Sequence, residues 1–264
     1  MMYLGMLCAS HMDGRVDPKQ RFSGRASSYA KARPGYPHDL FDHLFSVGAL
    51  GKGWKVADLG SGTGIFSELL LYHGLSVYAV EPNQEMRELA EARLSTVPGF
   101  HSVAGSAERT TLPDRSMDAV TAAQAFHWFD PDLTREELRR VLRPSGQVIM
   151  VWNNREKEAD PFNRAYSELV DRYSRDKDEI DALRQDPQEH FYPSGHHHSQ
   201  FWHSKDHDLE GLECLITSAS YMPKEGEPGF TEMMEELRRV FAEHQMDGRV
   251  TIKYVTDCYH GGLE

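Results

Sequence analysis

Four residues have the types and spacing of a ligand-binding turn: Asp58, Gly60, Gly62 and Gly64. They end a short apolar run and precede a helix-like one, which predicts a strand, a glycine turn and a helix start. Such a turn lets the backbone approach a nucleotide-like ligand closely. The third glycine comes one residue earlier than in a dinucleotide loop, and Asp58 would repel a pyrophosphate. A ligand that bears an ammonium group therefore fits better.

Alternating strand-like and helix-like segments position this turn. Strands are predicted at 75–80, 101–104, 118–123 and 147–152, and a last one at 251–256. Helical segments separate them, and one is expected to stop at a turn formed by 143–146. This alternation is typical of a parallel, doubly wound sheet. Its ligand should lie beyond the carboxyl ends of the strands, at the switch point beside the first strand.

A second carboxylate falls at one of these strand ends. Glu81 follows the second predicted strand, where a carboxylate can accept hydrogen bonds from both hydroxyls of a ribose. Dinucleotide-binding folds carry an acid at the same place. Glu81 therefore indicates an adenosine-bearing ligand without choosing between classes of cofactor.

The pattern D-x-G-x-G-x-G from Asp58 to Gly64 resembles the first motif of the class I S-adenosylmethionine (SAM) methyltransferases. With the segments 29–37 and 126–128 it is similar to the type-11 branch, which includes trans-aconitate methyltransferase-like and other small-molecule enzymes. The resemblance covers residues 20–260, most strongly before Trp152. It implies an α/β fold: a doubly wound, mostly parallel seven-stranded Rossmann-like sheet with helices on both faces and a helical insertion over the carboxyl edge.

The resemblance also implies roles for residues around a SAM pocket. Asp58 would hold the methionine ammonium, and Glu108 would accept from the adenine amine unless it is a surface acid. Met86 would pack on the adenine unless it is a core residue. The cofactor-binding residues implied in this way are Tyr29, Arg33, Asp58, Gly60, Ser61, Gly62, Gly64, Glu81, Pro82, Met86, Ser106, Ala107, Glu108, Gln124 and Ala125.

His127 is the candidate catalytic residue. It follows the fourth predicted strand among aromatic residues, and its unperturbed pKa suits a general base for a hydroxyl, carbon or amine acceptor. An acidic oxygen acceptor would need no base. The alternative is a structural, hydrogen-bonding histidine.

Composition narrows the partners. The net charge of −12 disfavours a nucleic-acid substrate, because an acidic surface repels phosphates. Three cysteines without close pairing suggest a reducing cytoplasm. We expect a small-molecule acceptor, no membrane association, and a monomer or homodimer.

The domain organisation predicted is one SAM-methyltransferase domain over 15–264. Residues 1–14 are expected to be disordered or a remnant of cloning, and 153–248 to form a mostly helical region that covers the substrate. A histidine cluster within that region is interpreted as a solvated loop, and no metal is expected because consecutive side chains converge poorly on one ion. Its members are His190, His196, His197, His198, His203 and His207.

Three alternatives to methyl transfer share much of this pattern. An NAD(P)-dependent oxidoreductase shares the sheet and Glu81, but the glycine spacing and Asp58 argue against it. An aminopropyl transferase would need more acids after the fourth strand. A non-catalytic SAM-binding sensor stays open, because methyl transfer does not require a dedicated catalytic side chain.

Overall fold

A seven-stranded sheet runs through the protein, seen in a computed structural model that describes residues 33–175, 191–192 and 195–263. The strands are β1 (Lys55–Leu59), β2 (Ser76–Val80), β3 (Phe100–Val103), β4 (Met117–Ala123), β5 (Leu142–Arg155), β6 (His197–His207) and β7 (Val250–Gly261). Their order in the sheet is β3-β2-β1-β4-β5-β7-β6. The strands β1 to β5 pair in parallel, and β7 runs antiparallel to both of its neighbours.

Helices cover both faces of this sheet. They are α1 (His38–Ser46), α2 (Ile65–Tyr72), α3 (Gln84–Leu94), α4 (Pro131–Val141), α5 (Pro161–Tyr173), α6 (Leu209–Ser218) and α7 (Phe230–His244). Side chains alternate along β1, so Ala57 and Leu59 join the core that includes α4, whereas Val56 joins the core that includes α1 and α2. The predicted fold class is confirmed.

The chain order places the switch point of the sheet at β1 and β4. From β1 the chain winds outward to β2 and β3, then returns to the other side of β1 with β4 and β5. The turns after β1 and β4 therefore meet at the carboxyl edge of the sheet. A ligand site is expected there in sheets of this kind.

The region 153–248 has a core of its own. Helices α5, α6 and α7 pack together and against Val250, Ile252 and Tyr254 at the start of β7. The region is not purely helical, however. It also supplies β6, which spans His197–His207 rather than the few residues near 200–203 that the sequence indicated.

Two local expectations were wrong. The histidine cluster is not a solvated loop, because His197, His198, His203 and His207 lie on β6; His190 is outside the described residues. The residues alternate in exposure along this edge strand, so it lacks the apolar pattern that reveals buried strands. The turn expected at 143–146 is part of β5, where the register with β4 shifts.

Candidate functional site

The three glycines after β1 all adopt positive φ angles, of 59°, 56° and 80° in chain order. Their surroundings differ. A Cβ on Gly60 would lie 2.7 Å from the Cβ of Ala125, and one on Gly64 would lie 2.7 Å from Cδ1 of Leu94. A Cβ on Gly62 would have a backbone oxygen 4.0 Å away as its nearest neighbour. Gly60 and Gly64 thus permit close packing, whereas Gly62 faces open space that a ligand can enter.

Asp58 lies at the base of this turn and is 1% exposed. Ser67 Oγ donates to its Oδ2 at 2.6 Å, and Thr121 Oγ1 donates to its Oδ1 at 2.8 Å. Burial raises the pKa of the carboxyl to about 6, because desolvation outweighs these two hydrogen bonds. Each oxygen keeps a further lone pair with which it can accept from a ligand ammonium.

Glu81 joins the end of β2 to the glycine turn. Its Oε2 accepts from Gly62 N at 2.9 Å, and its Oε1 accepts from Asn83 N at 2.8 Å. Burial raises the pKa of this carboxyl, while the two backbone donors oppose the rise. The carboxylate is therefore fixed beside the one glycine that faces open space.

The segment after β4 closes over the same turn. Gln124 has a positive φ of 59°, and its Nε2 donates to the carbonyl oxygen of Asn153 at 3.0 Å. A short 3-10 helix over Phe126–Trp128 follows, and Ala125 and Phe129 pack against Gly60. This contact explains why the first glycine cannot carry a side chain.

A cavity of about 370 Å³ opens at this edge of the sheet. Six of the predicted cofactor residues line it: Arg33, Asp58, Gly60, Ser61, Gly62 and Gln124. Within the described part of the chain, the hydroxyls of Ser61 and Thr63 are buried in this wall without a hydrogen-bond partner. Unsatisfied buried hydroxyls next to an open glycine fit a polar ligand.

The other predicted cofactor residues are not among the described residues that line the cavity. Met86 is 3% exposed, and Ala107 belongs to the core on the α4 face. Glu108 Oε1 accepts from Asp130 N at 3.1 Å, and Ser106 pairs with Arg109 in a short bridge. Gly64, Glu81, Pro82 and Ala125 also stand outside the lining, and Tyr29 lies outside the described residues. Their roles toward a cofactor stay predictions.

His127 is buried on the 3-10 helix, with its ring centroid 4.7 Å from that of Trp128. Of the described residues, those that line the cavity do not include it. Its role as a general base stays a prediction.

The sequence indicated that 153–248 covers the substrate, but not which of its residues form the far wall of the cavity. That wall comes from the end of β5, from α5 and α6, and from β7, and it combines cationic, aromatic and apolar side chains. Its polar members include Arg155, Lys157, Tyr166, Asp171, Tyr221 and Tyr254. These residues are far apart in sequence, and no spacing rule links them. The antiparallel pairing of Arg155 with Tyr254 could have been found only from the sheet register.

The family is decided by comparison with known proteins. The type-11 family profile, described as "Methyltransferase domain", matches residues 57–150. An uncharacterized methyltransferase of Mycobacterium tuberculosis (strain ATCC 25618 / H37Rv) is 31% identical over 252 residues, which cover 94% of this chain and 98% of that protein. The chain belongs to the methyltransferase family. The expected enzyme class and its cofactor SAM are thereby confirmed; the resemblance to trans-aconitate enzymes stays a prediction.

Two further proteins are similar to this methyltransferase over most of its length. An uncharacterized methyltransferase-like protein of Schizosaccharomyces pombe is 27% identical over 262 residues, covering 96% of this chain and 99% of the relative. A proposed type II methyltransferase from Anaeromyxobacter dehalogenans has the same fold, with a TM-score of 0.64 at 23% identity over 88% of this chain and 98% of that one. The similarity thus extends beyond residue 150, where the match to the family profile ends.

Two further features of the methyltransferase concern membranes and metals. Within the described ranges, no helix has the length and apolarity needed to cross a bilayer. The histidine, cysteine, aspartate and glutamate residues of the same ranges form no group of three suited to a metal ion. On β6, His197 stacks on His260, His198 on Tyr259 and His203 on Tyr254.

Proposed function

We propose that the cavity binds SAM at the end formed by 58–63 and a small-molecule acceptor at the end formed by α5, α6 and β7. The observation that carries this proposal is the pair of buried, unpartnered hydroxyls of Ser61 and Thr63 beside Gly62, within the described part of the chain. In the proposal, Asp58 attracts the methionine ammonium and Glu81 accepts from the ribose hydroxyls. The glycine turn lies at the N-terminus of α2, which favours the methionine carboxylate.

Methyl transfer mainly requires that the acceptor atom be aligned with the methyl group of SAM. The methyl group on the sulfonium of SAM is already activated, so the acceptor atom attacks it in line as the carbon–sulfur bond breaks and S-adenosylhomocysteine leaves. Holding the two molecules in one cavity supplies the orientation that this displacement needs. The Gln124–Asn153 hydrogen bond ties the turn after β4 to β5, between the two ends.

The acceptor is proposed to be a small molecule and not a nucleic acid, with the net charge of −12 as support. A malonyl-[acyl-carrier protein] O-methyltransferase of Serratia marcescens is 31% identical over 129 residues, which are 48% of this chain and 49% of that enzyme. An oxygen acceptor is one option that this relative supports. A cytoplasmic location is proposed from the free cysteines Cys214 and Cys258. A monomer or homodimer stays a prediction.

Calorimetric titration with S-adenosylhomocysteine, with NADH as a control, tests the cofactor end. We expect micromolar binding of S-adenosylhomocysteine alone. Glu81→Gln should weaken it by about 1–3 kcal/mol, the scale of a lost charged hydrogen bond. Glu88→Gln is the matched control, because Glu88 is exposed on α3 and bonds to Gln84. Equal affinity of a folded Glu81→Gln variant and the wild type would contradict the role of Glu81.

The sensor alternative makes a different prediction for turnover. A sensor would bind S-adenosylhomocysteine with the same affinity but transfer no label from methyl-labelled SAM to any acceptor. We expect the enzyme to transfer it to members of a small-molecule panel. The members of the panel are chosen to complement the described residues that line the acceptor end of the cavity.

A further inference from the structure

The acceptor end of the cavity contains a guanidinium that has no carboxylate of the described residues within ion-pair distance. Arg155, the last residue of β5, is half-buried and lines the cavity. Its Cζ lies 5.3 Å from the centroid of the Tyr166 ring, and it forms no ion pair with a carboxylate of the described residues. The nearby carboxylate of Asp171 instead lies 3.5 Å from Lys157 Nζ. Among the described residues of this wall, Asp171 acts on the guanidinium only from beyond ion-pair distance, so an anion in direct contact would stabilise it further.

A tyrosine is the neighbour of Arg155 across the sheet. Tyr254 is the direct partner of Arg155 in the antiparallel pairing of β5 with β7, so their side chains extend from the same face of the sheet. Tyr254 is 3% exposed, and its hydroxyl is buried without a hydrogen-bond partner in the described part of the chain. Burial raises the pKa of this hydroxyl, which is a neutral donor at ordinary pH. The cross-strand pair can therefore donate hydrogen bonds from a guanidinium and from a hydroxyl to the same polar group of a ligand.

The remainder of this end combines apolar side chains with cationic and neutral polar ones, among them Asn154 and Ser174. Leu215, Ile216, Ala219 and Met222 line it beside the tyrosines. Arg33 lines it as well, and its Nη2 donates to the carbonyl oxygen of Ser218 at 3.4 Å. Besides the paired Asp171, the only other described carboxylate in the lining is Asp58, at the opposite end. The acceptor end thus combines positive charge with apolar surface.

We infer that the acceptor is a small carboxylic acid with an apolar or aromatic body, whose carboxylate is bound by Arg155 and the hydroxyl of Tyr254. The sulfonium of SAM adds a positive charge to the same cavity, so an anionic acceptor is attracted and an ammonium is repelled. A guanidinium binds a carboxylate through two parallel hydrogen bonds, which also fixes its orientation. This inference rests on the proposed function, because it assigns the half of the cavity that SAM does not fill.

The test titrates the protein saturated with S-adenosylhomocysteine with three pairs of probes. The pairs are benzoate and benzamide, 3-phenylpropionate and 3-phenylpropionamide, and octanoate and octanamide; 3-phenylpropylamine serves as the cationic probe. At neutral pH we expect at least one carboxylate to bind about tenfold or more tightly than its amide, and the amine not to bind. Arg155→Met should abolish this preference, and Tyr254→Phe should reduce it. Arg164→Met should retain it, because Arg164 is an exposed residue that pairs with Glu158.

The outcomes separate this inference from the proposed function. Loss of preference in Arg155→Met with unchanged binding of S-adenosylhomocysteine supports the inference. Equal affinity for carboxylate and amide in every pair, including no binding of either, overturns it while the SAM end stands. Failure of S-adenosylhomocysteine itself to bind overturns the proposed function instead. If Arg155→Met does not fold, the wild-type comparison and Tyr254→Phe decide alone, and an undiminished preference in Tyr254→Phe removes the hydroxyl from the site.

Discussion

At the level of single residues, Asp58 is the most unusual group in the site. Its carboxyl is almost fully buried, and only two hydroxyl donors compensate for the lost water. Glu81 adds a second nearby negative charge, which further disfavours ionisation. A group with a pKa of about 6 changes its charge within the range of ordinary assays. Cofactor binding that depends on this charge must depend on pH.

We therefore predict that affinity for S-adenosylhomocysteine is highest near neutral pH and weakens below a pH of about 6. The sign follows from charge: the ammonium binds the ionised carboxylate, which disappears as the pH falls through the pKa. One proton corresponds to a limiting loss of about tenfold per pH unit. Calorimetric titrations over a pH series would measure the profile.

Two variants check that Asp58 causes this dependence. Ser67→Ala removes a hydrogen bond that lowers the pKa, so the midpoint of the profile should move to higher pH. Asp58→Asn should bind more weakly and lose this step. A wild-type profile that stays flat through the acidic range would show that the ammonium does not depend on the Asp58 carboxylate.

At the level of elements, the glycine turn joins two functions that a sequence motif does not separate. Gly64 lies where α2 meets α3, close to both Ala90 and Leu94. Gly62 lies at the cavity, where a Cβ would meet only a backbone oxygen of the described residues, 4.0 Å away. The same residue type therefore serves helix packing at one position and ligand access at the other.

We predict opposite effects of alanine at these two positions. Gly64→Ala should destabilise the protein by about 2–4 kcal/mol, because a Cβ would clash with α3 and φ is positive. Gly62→Ala should cost only about 1–2 kcal/mol, from its positive φ, but should weaken binding of S-adenosylhomocysteine. Urea unfolding and calorimetry on both variants measure the two effects. A larger stability loss in Gly62→Ala would reverse this assignment.

The individual strands and turns also show which parts of the structure can be predicted from the sequence. That Asp58, Gly60 and Gly62 lie together at one end of the cavity was predictable, because they follow one another in a single strand-turn-helix motif. Strands β1, β2 and β4 were predictable because they are buried and apolar. β6 was largely missed, since an edge strand is exposed on alternate residues and carries histidines and serines. Arg155 and Tyr254 were missed because only strand pairing brings them together.

At the level of the whole molecule, β7 links the sheet to the helical region. Its first residues, Val250, Ile252 and Tyr254, pack with α5, α6 and α7, while Cys258 packs with the core on the α1 face of the sheet. A strand shared by two cores couples them. This coupling supports the prediction, still to be tested, that the described chain is one folding unit.

We predict that Leu237→Ala lowers the stability of the entire protein. Leu237 is fully buried on α7, so its truncation should cost about 2–5 kcal/mol. Fluorescence of the tryptophans, of which Trp54, Trp128 and Trp152 lie outside 153–248, and far-UV circular dichroism should report one coincident urea transition. Glu235→Ala, on the exposed side of α7, should change stability by less than about 0.5 kcal/mol. Loss of helix signal before the tryptophan signal would instead show two folding units.

The interior position of β7 has a consequence for biosynthesis. β7 inserts between β5 and β6, yet it is the last of the seven strands to be translated. While the nascent chain grows, β6 has no neighbour to pair with, and α5 to α7 lack the wall formed by Val250, Ile252 and Tyr254. Strand β1 and the glycine turn that follows it leave the ribosome long before β7. The cofactor end can thus assemble early in translation, whereas the acceptor end must wait until the final strand has emerged.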